Sequence, residues 1–125
     1  MTLVQSLFST RYESSYANKV IMLEDTDVTY KQLDRTLHQL KYSTTFLPGA
    51  VIFGQFYSIN ATAHDRQLYR DVIQAFAERV PYPVYYYPAF GHGKTNQPFI
   101  LAQQMNIECR HEHEQCYLTQ PGLIP

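Results

Sequence analysis

Val20-Ile21-Met22-Leu23-Glu24-Asp25-Thr26-Asp27-Val28-Thr29-Tyr30-Lys31-Gln32-Leu33-Asp34-Arg35-Thr36-Leu37-His38-Gln39-Leu40 carries two different hydrophobic periods in succession. The apolar run Val20 to Leu23 is too short for a helix and has polar neighbours, which predicts a buried strand. Glu24 and Asp25 then fall at its C-terminal end. Thr29 and Gln32 stand at capping-box spacing, where each side chain satisfies a backbone N–H that the first helical turn leaves free. Leu33, Leu37 and Leu40 return at helical spacing, so the pattern predicts a helix from Tyr30 to Lys41. A buried strand followed by an amphipathic helix is the opening of an α/β unit.

The pattern continues on both sides. Pro48-Gly49 marks a turn before a predicted strand Ala50 to Tyr57. Leu68, Val72, Phe76 and Val80 recur every four residues, predicting a second helix over Asp65 to Arg79 that Pro81 and Pro83 end. Val84 to Tyr87 reads as the next strand. Ile107 to Arg110 and Gln115 to Thr119 read as a terminal hairpin. Upstream, Leu3, Leu7 and Phe8 suggest the end of an amphipathic helix, with a polar linker through Ser14-Ser15. The expectation is an α/β fold with a small mixed sheet, two main helices and a C-terminal hairpin.

The chain has 125 residues, 45% of them hydrophobic and 17% charged, which suits one globular domain and argues against disorder. A net charge of −1 gives no electrostatic reason to expect nucleic acid or an anionic membrane as partner. No run reaches the roughly 20 apolar residues of a membrane span, and Met1 is followed by no basic start and apolar core of a signal peptide. Two cysteines do not make a disulfide framework, so a cytoplasmic location with reduced thiols is expected. Eleven tyrosines against no tryptophan is a bias. Tyr85-Tyr86-Tyr87 either lines a cleft or buries rings along a strand, and strands favour the second use.

Chemistry concentrates in Tyr85-Tyr86-Tyr87-Pro88-Ala89-Phe90-Gly91-His92-Gly93-Lys94-Thr95-Asn96. Glycines on both sides of His92 let the backbone turn sharply and present the imidazole to a cleft. A neutral imidazole near pH 7 can take a proton from a hydroxyl and return it to a leaving amine. Its natural partner is Glu24, a carboxylate at the end of another apolar run, where sites of α/β sheets collect. Asp25 competes for that role.

These blocks resemble the C-terminal half of the LD-carboxypeptidase (muramoyltetrapeptide carboxypeptidase) family, which includes the microcin C immunity peptidases. Thr2 to Thr10 resembles the family's inter-domain segment. Lys19 to Leu40 resembles its strand ending in Leu-Glu-Asp and the helix with Asp-Arg-x-Leu-x-Gln-Leu, here Asp34 to Leu40. Gly54-Gln55-Phe56 and Phe90-Gly91-His92 through Asn96 and Pro98 complete the match. Val28 stands where many relatives carry a glutamate, and Ile100 where they often have glycine. The resemblance implies residues 1–18 as an inter-domain connector and 19–125 as a swivelling β/β/α-like C-terminal domain. It also implies a Ser-His-Glu triad with His92 as base and Glu24 as orienter.

The resemblance further implies a cytoplasmic murein tetrapeptide or a microcin-like peptide as substrate, and Lys94 and Asn96, on the His92 loop, are expected to border the substrate cleft. The nucleophilic serine is then expected on a partner domain ahead of these residues, because no Gly-x-Ser-x-Gly elbow occurs here. A homodimer is left open. The alternative reading is a non-catalytic binding or interaction module, a remnant without the catalytic half.

Two tempting motifs carry less. Gly93-Lys94-Thr95 resembles the end of a phosphate-binding loop, but that template needs glycine where Pro88 stands, and Pro98 blocks the following helix. Cys109, His111, His113 and Cys116 crowd four soft ligands together, yet their spacing is not a common zinc spacing. A hairpin turning at Glu112-His113 brings Cys109 opposite Cys116 without any metal. No metal or organic cofactor is expected.

Overall fold

The computed structural model describes residues 1–110 and 115–122. In chain order they form α1 (Thr2–Leu7), β1 (Val20–Leu23), α2 (Tyr30–Tyr42), β2 (Ala50–Phe53), α3 (Ala63–Ala77), β3 (Val84–Tyr86), β4 (Asn106–Arg110) and β5 (Gln115–Thr119). The α/β class expected from the periodicity is present. Its parallel and antiparallel parts are two sheets: β1-β2-β3, parallel throughout, and the β4-β5 hairpin.

Each parallel step is a strand, a helix and the neighbouring strand. Register sets Ile21 opposite Val51 and Leu23 opposite Phe53, and sets Val51 opposite Val84. These residues share one sheet face because strand side chains alternate. All five belong to or pack on one core with Leu33, Leu37 and Leu40 of α2 and Ile73 and Phe76 of α3. Both helices therefore cover the same face, as two successive crossovers of one hand require. The central strand β2 is buried at every position. Rings join the core at an angle: Phe53 meets Phe76 T-shaped at 5.9 Å between centroids, and Tyr16 meets Phe46 tilted at 4.8 Å.

Local chemistry sets the helix starts. Thr29 and Gln32 form the expected capping box on α2. On α3 the cap is Thr62, whose hydroxyl accepts from the Asp65 N–H while the Asp65 carboxylate reaches back to the Thr62 N–H. The helix thus begins two residues before the expected Asp65, which occupies its third position. It ends at Ala77, short of the expected Arg79.

Two strands are shorter than expected. The second stops at Phe53 instead of Tyr57, because Gly54 lies beneath the Phe90 ring; an added Cβ there would sit 2.8 Å from it. The Gly54 N–H still bonds the Leu23 carbonyl at 2.8 Å, and the chain then leaves the sheet. Phe56, which reads like a continuing strand residue, enters the core from the loop. The third strand stops at Tyr86, although the Tyr87 N–H still reaches the Phe53 carbonyl at 2.8 Å.

The hairpin sets Cys109 directly opposite Cys116, with Cα atoms 4.0 Å apart and the sulfurs bonded. This corrects the expectation of reduced thiols: cross-strand register brings the two sulfurs together. Neither sulfur is then a thiolate ligand. His111 and His113, the remainder of the zinc set, lie outside the described residues, as does the turn at Glu112-His113. Downstream of the hairpin, the buried Gln120 side chain accepts from the Ile100 N–H at 2.8 Å and donates to its carbonyl at 2.9 Å. It pairs with the Ile100 backbone as a neighbouring strand would. Among the described residues no helix is long and apolar enough to cross a membrane.

Candidate active site

Three parallel strands end at one edge of the sheet, and each delivers a polar group there. Glu24 follows β1, Gln55 lies just beyond β2, and the loop carrying His92 leaves β3. The loop from Pro88 to Gln97 is closed on itself. The Gln97 N–H bonds the Ala89 carbonyl at 2.6 Å, and the Gly91 N–H bonds Oδ1 of Asn96 at 3.2 Å. Phe90 anchors its base: buried, it packs over Gly54, stacks on Tyr87 and meets Phe99 edge-on at 5.7 Å.

From that anchored loop His92 reaches back to the end of β1. Its Nδ1 lies 2.7 Å from Oε2 of Glu24, so the pair anticipated from the sequence is in direct contact. Gly91 makes this approach feasible for two reasons. Its φ is +95°, and a Cβ on it would lie 2.7 Å from the Glu24 carboxylate. With Glu24 ionised, Nδ1–H donates to the carboxylate, which leaves Nε2 as the free lone pair. The imidazole is 64% exposed and Glu24 28%, so the acid is the more enclosed of the two.

The Glu24 hydrogen bond, followed by its charge, holds the His92 pKa above the ordinary 6.5; Asp25 and Asp27 add smaller effects in the same direction. Partial loss of hydration opposes them. Asp25, the competing acid, turns its Oδ1 to the Thr26 N–H and acts on the ring only as a smaller charge effect. Geometry therefore selects Glu24 as the carboxylate that touches the imidazole.

The other two anticipated positions separate. Lys94 is exposed and lines a groove of about 370 Å³ with Gln55, Tyr57 and Arg66. Asn96 is engaged in closing the loop. Gly54 and Phe90 carried part of the resemblance but were given no role in the site, and Arg66 was not singled out at all. A glycine inside a predicted strand signals close backbone approach, which is how Gly54 could have been found. Arg66 gave no such signal, since its place depends on where α3 lies relative to the loop.

The comparisons with known proteins bear on this arrangement. The family described as LD-carboxypeptidase C-terminal domain matches residues 1–107, which takes in Glu24, His92 and the parallel sheet. The chain is 36% identical over 109 residues to "Putative carboxypeptidase RP402" of Rickettsia prowazekii (strain Madrid E), covering 86% of this chain and 32% of that protein. It is 33% identical over 108 residues to "Putative carboxypeptidase RC0549" of Rickettsia conorii (strain ATCC VR-613 / Malish 7), again covering 86% and 32%. The chain thus spans about a third of the length of these relatives. Its fold is similar to the crystal structure of muramoyltetrapeptide carboxypeptidase from Oxalobacter formigenes. There the TM-score is 0.74 at 18% identity, over 94% of this chain and 41% of that one. With the family match spanning most of the chain, the protein belongs to the LD-carboxypeptidase C-terminal domain family.

Proposed function

We propose that this chain supplies the acid-base half of a serine L,D-carboxypeptidase acting on murein tetrapeptide, in the cytoplasm. The observation that carries the reading is the 2.7 Å contact between His92 Nδ1 and Glu24 Oε2 at the C-terminal edge of a parallel sheet. Family membership supports it, and the name of the Oxalobacter structure suggests the substrate class. In this reading residues 1–18 connect to a domain bearing the nucleophilic serine, and 19–125 form the base-carrying domain.

The chemistry follows from the fixed tautomer. Glu24 holds Nδ1–H, so Nε2 takes the serine proton as the hydroxyl oxygen attacks the carbonyl carbon between the L-centre of diaminopimelate and the terminal D-alanine. Glu24 stabilises the imidazolium so formed. His92 then returns the proton to the D-alanine amine as the C–N bond breaks, leaving an acyl-serine. A water molecule, deprotonated by the same Nε2, hydrolyses the ester. Donors for the oxyanion come from the serine domain.

Release of D-alanine from muramoyl tetrapeptide tests the proposal, measured for residues 1–125 alone and joined to a serine-bearing domain of the family. The chain alone is expected to give none, since a base and its orienter cannot replace the nucleophile. The joined protein is expected to turn over. Enzyme-like turnover by the chain alone would remove the half-site reading. A folded but inert joined protein would favour a binding module instead.

A further inference from the structure

We propose that Arg66 and Lys94 form the subsite for the free C-terminal carboxylate of a peptide; this rests on the carboxypeptidase reading above. Beside the His92 loop lies the groove of about 370 Å³ whose wall includes Gln55, Tyr57, Arg66, Pro88, Lys94 and Thr95. Among the described residues two cations line it and no acidic residue does.

Arg66 is fixed in place before any ligand arrives. Its Nε donates to the Ala61 carbonyl at 3.1 Å and one terminal nitrogen to the Ile59 carbonyl at 3.4 Å. The guanidinium carbon stands 5.4 Å from the Tyr57 ring centroid. These contacts occupy only part of its donor set, and among the described residues no carboxylate pairs with it or with Lys94. A guanidinium oriented by backbone and ring, with N–H groups to spare, loses little freedom on gripping a carboxylate. Lys94, exposed on the same groove, adds a second charge.

Placement gives this site its meaning. Lys94 is two residues beyond His92, and Gly93 between them packs on Gln55, where a Cβ would lie 2.8 Å from Oε1. A carboxylate held by Arg66 and Lys94 is therefore held against the loop that carries the base. An exopeptidase needs that arrangement, because recognising the chain end is what confines cleavage to the last bond.

Amide-resolved NMR titration of residues 1–125 tests the subsite with three probes: a tetrapeptide ending in free D-alanine, its C-terminal carboxamide, and inorganic phosphate. The free acid is expected to shift the amides of Arg66 and of residues 93–95, with the carboxamide weaker by about tenfold, as loss of a charge-assisted contact implies. Lys94→Met and Arg66→Gln should each weaken the acid by a similar factor. Arg66 also anchors the turn before α3, so the exposed Lys94 separates lost charge from lost structure. Equal binding of acid and carboxamide, equal competition by phosphate, shifts elsewhere, or no binding would each overturn the proposal. Loss of carboxylate preference while His92-dependent hydrolysis persists would sink the subsite alone. Carboxylate-selective binding without hydrolysis in the joined protein would sink the catalytic reading alone.

Discussion

At His92 the carboxylate neighbour can be read directly from the titration of the ring. NMR of the imidazole should give a pKa above 6.5, and Glu24→Gln should bring it down by removing the largest causes of the upshift. Asp25→Asn should move it less, because Asp25 acts only through a smaller electrostatic effect. A folded pKa above the unfolded one means that the pair stabilises the fold fully below about pH 6.5 and ceases to do so as pH rises through the folded value. The effect on stability should be small, since the imidazole faces solvent. For catalysis the sign is different: the base must be neutral, so the acid limb of kcat/KM should lie above 6.5 and move down in Glu24→Gln. Gly91→Ala should disturb the same pair by another route. It forces a side chain into a backbone with φ of +95° and onto the Glu24 carboxylate, so the His92 pKa should fall toward 6.5 even with both partners present. The pairing of Glu24 with His92 was legible because a strand-end acid and a glycine-flanked histidine both point to one sheet edge. The choice of Glu24 over Asp25 was not derivable from the residues alone, since adjacent carboxylates differ only in which way the chain turns them.

Among the elements, helices were the most legible because capping chemistry and a four-residue apolar repeat agree about them. Thr62 is the exception that periodicity hides: its partner Asp65 looks like a helix start but is the third residue. Thr62→Ala should therefore cost about 1 kcal/mol in urea unfolding, and Thr29→Ala a similar amount. Gly54 inside a predicted strand signalled a close approach, but the end of β2 was not legible from it, because the partner that meets Gly54, Phe90, lies far along the chain. The cysteine bond was missed for a different reason. Register brought the sulfurs together as anticipated, but the expected compartment argued for thiols. Because β4 and β5 form a sheet of their own, reducing Cys109–Cys116 should loosen the hairpin. Amides of β2 should keep their slow hydrogen exchange. Loss of β2 protection on reduction would show that the hairpin supports the core.

On the scale of the whole molecule, one face of the parallel sheet holds the core and one edge holds the site, so core damage and site damage should separate. Phe53→Ala removes a fully buried ring from the end of the central strand β2 and should destabilise the fold by about 3–5 kcal/mol. The exposed imidazole of His92 has no such packing role. His92→Ala should leave stability at pH 8 nearly unchanged, and its damage should appear in turnover. The most direct measurement is therefore kcat for D-alanine release by the protein joined to a serine-bearing domain, comparing His92→Ala, Glu24→Gln and Asp25→Asn with the unsubstituted form. The account predicts a loss of about 10⁴ to 10⁶ for His92→Ala and a smaller loss for Glu24→Gln. It predicts less than about tenfold, roughly 1.4 kcal/mol, for Asp25→Asn. A His92→Ala protein within tenfold of the unsubstituted rate, or an Asp25→Asn protein more impaired than Glu24→Gln, would contradict it.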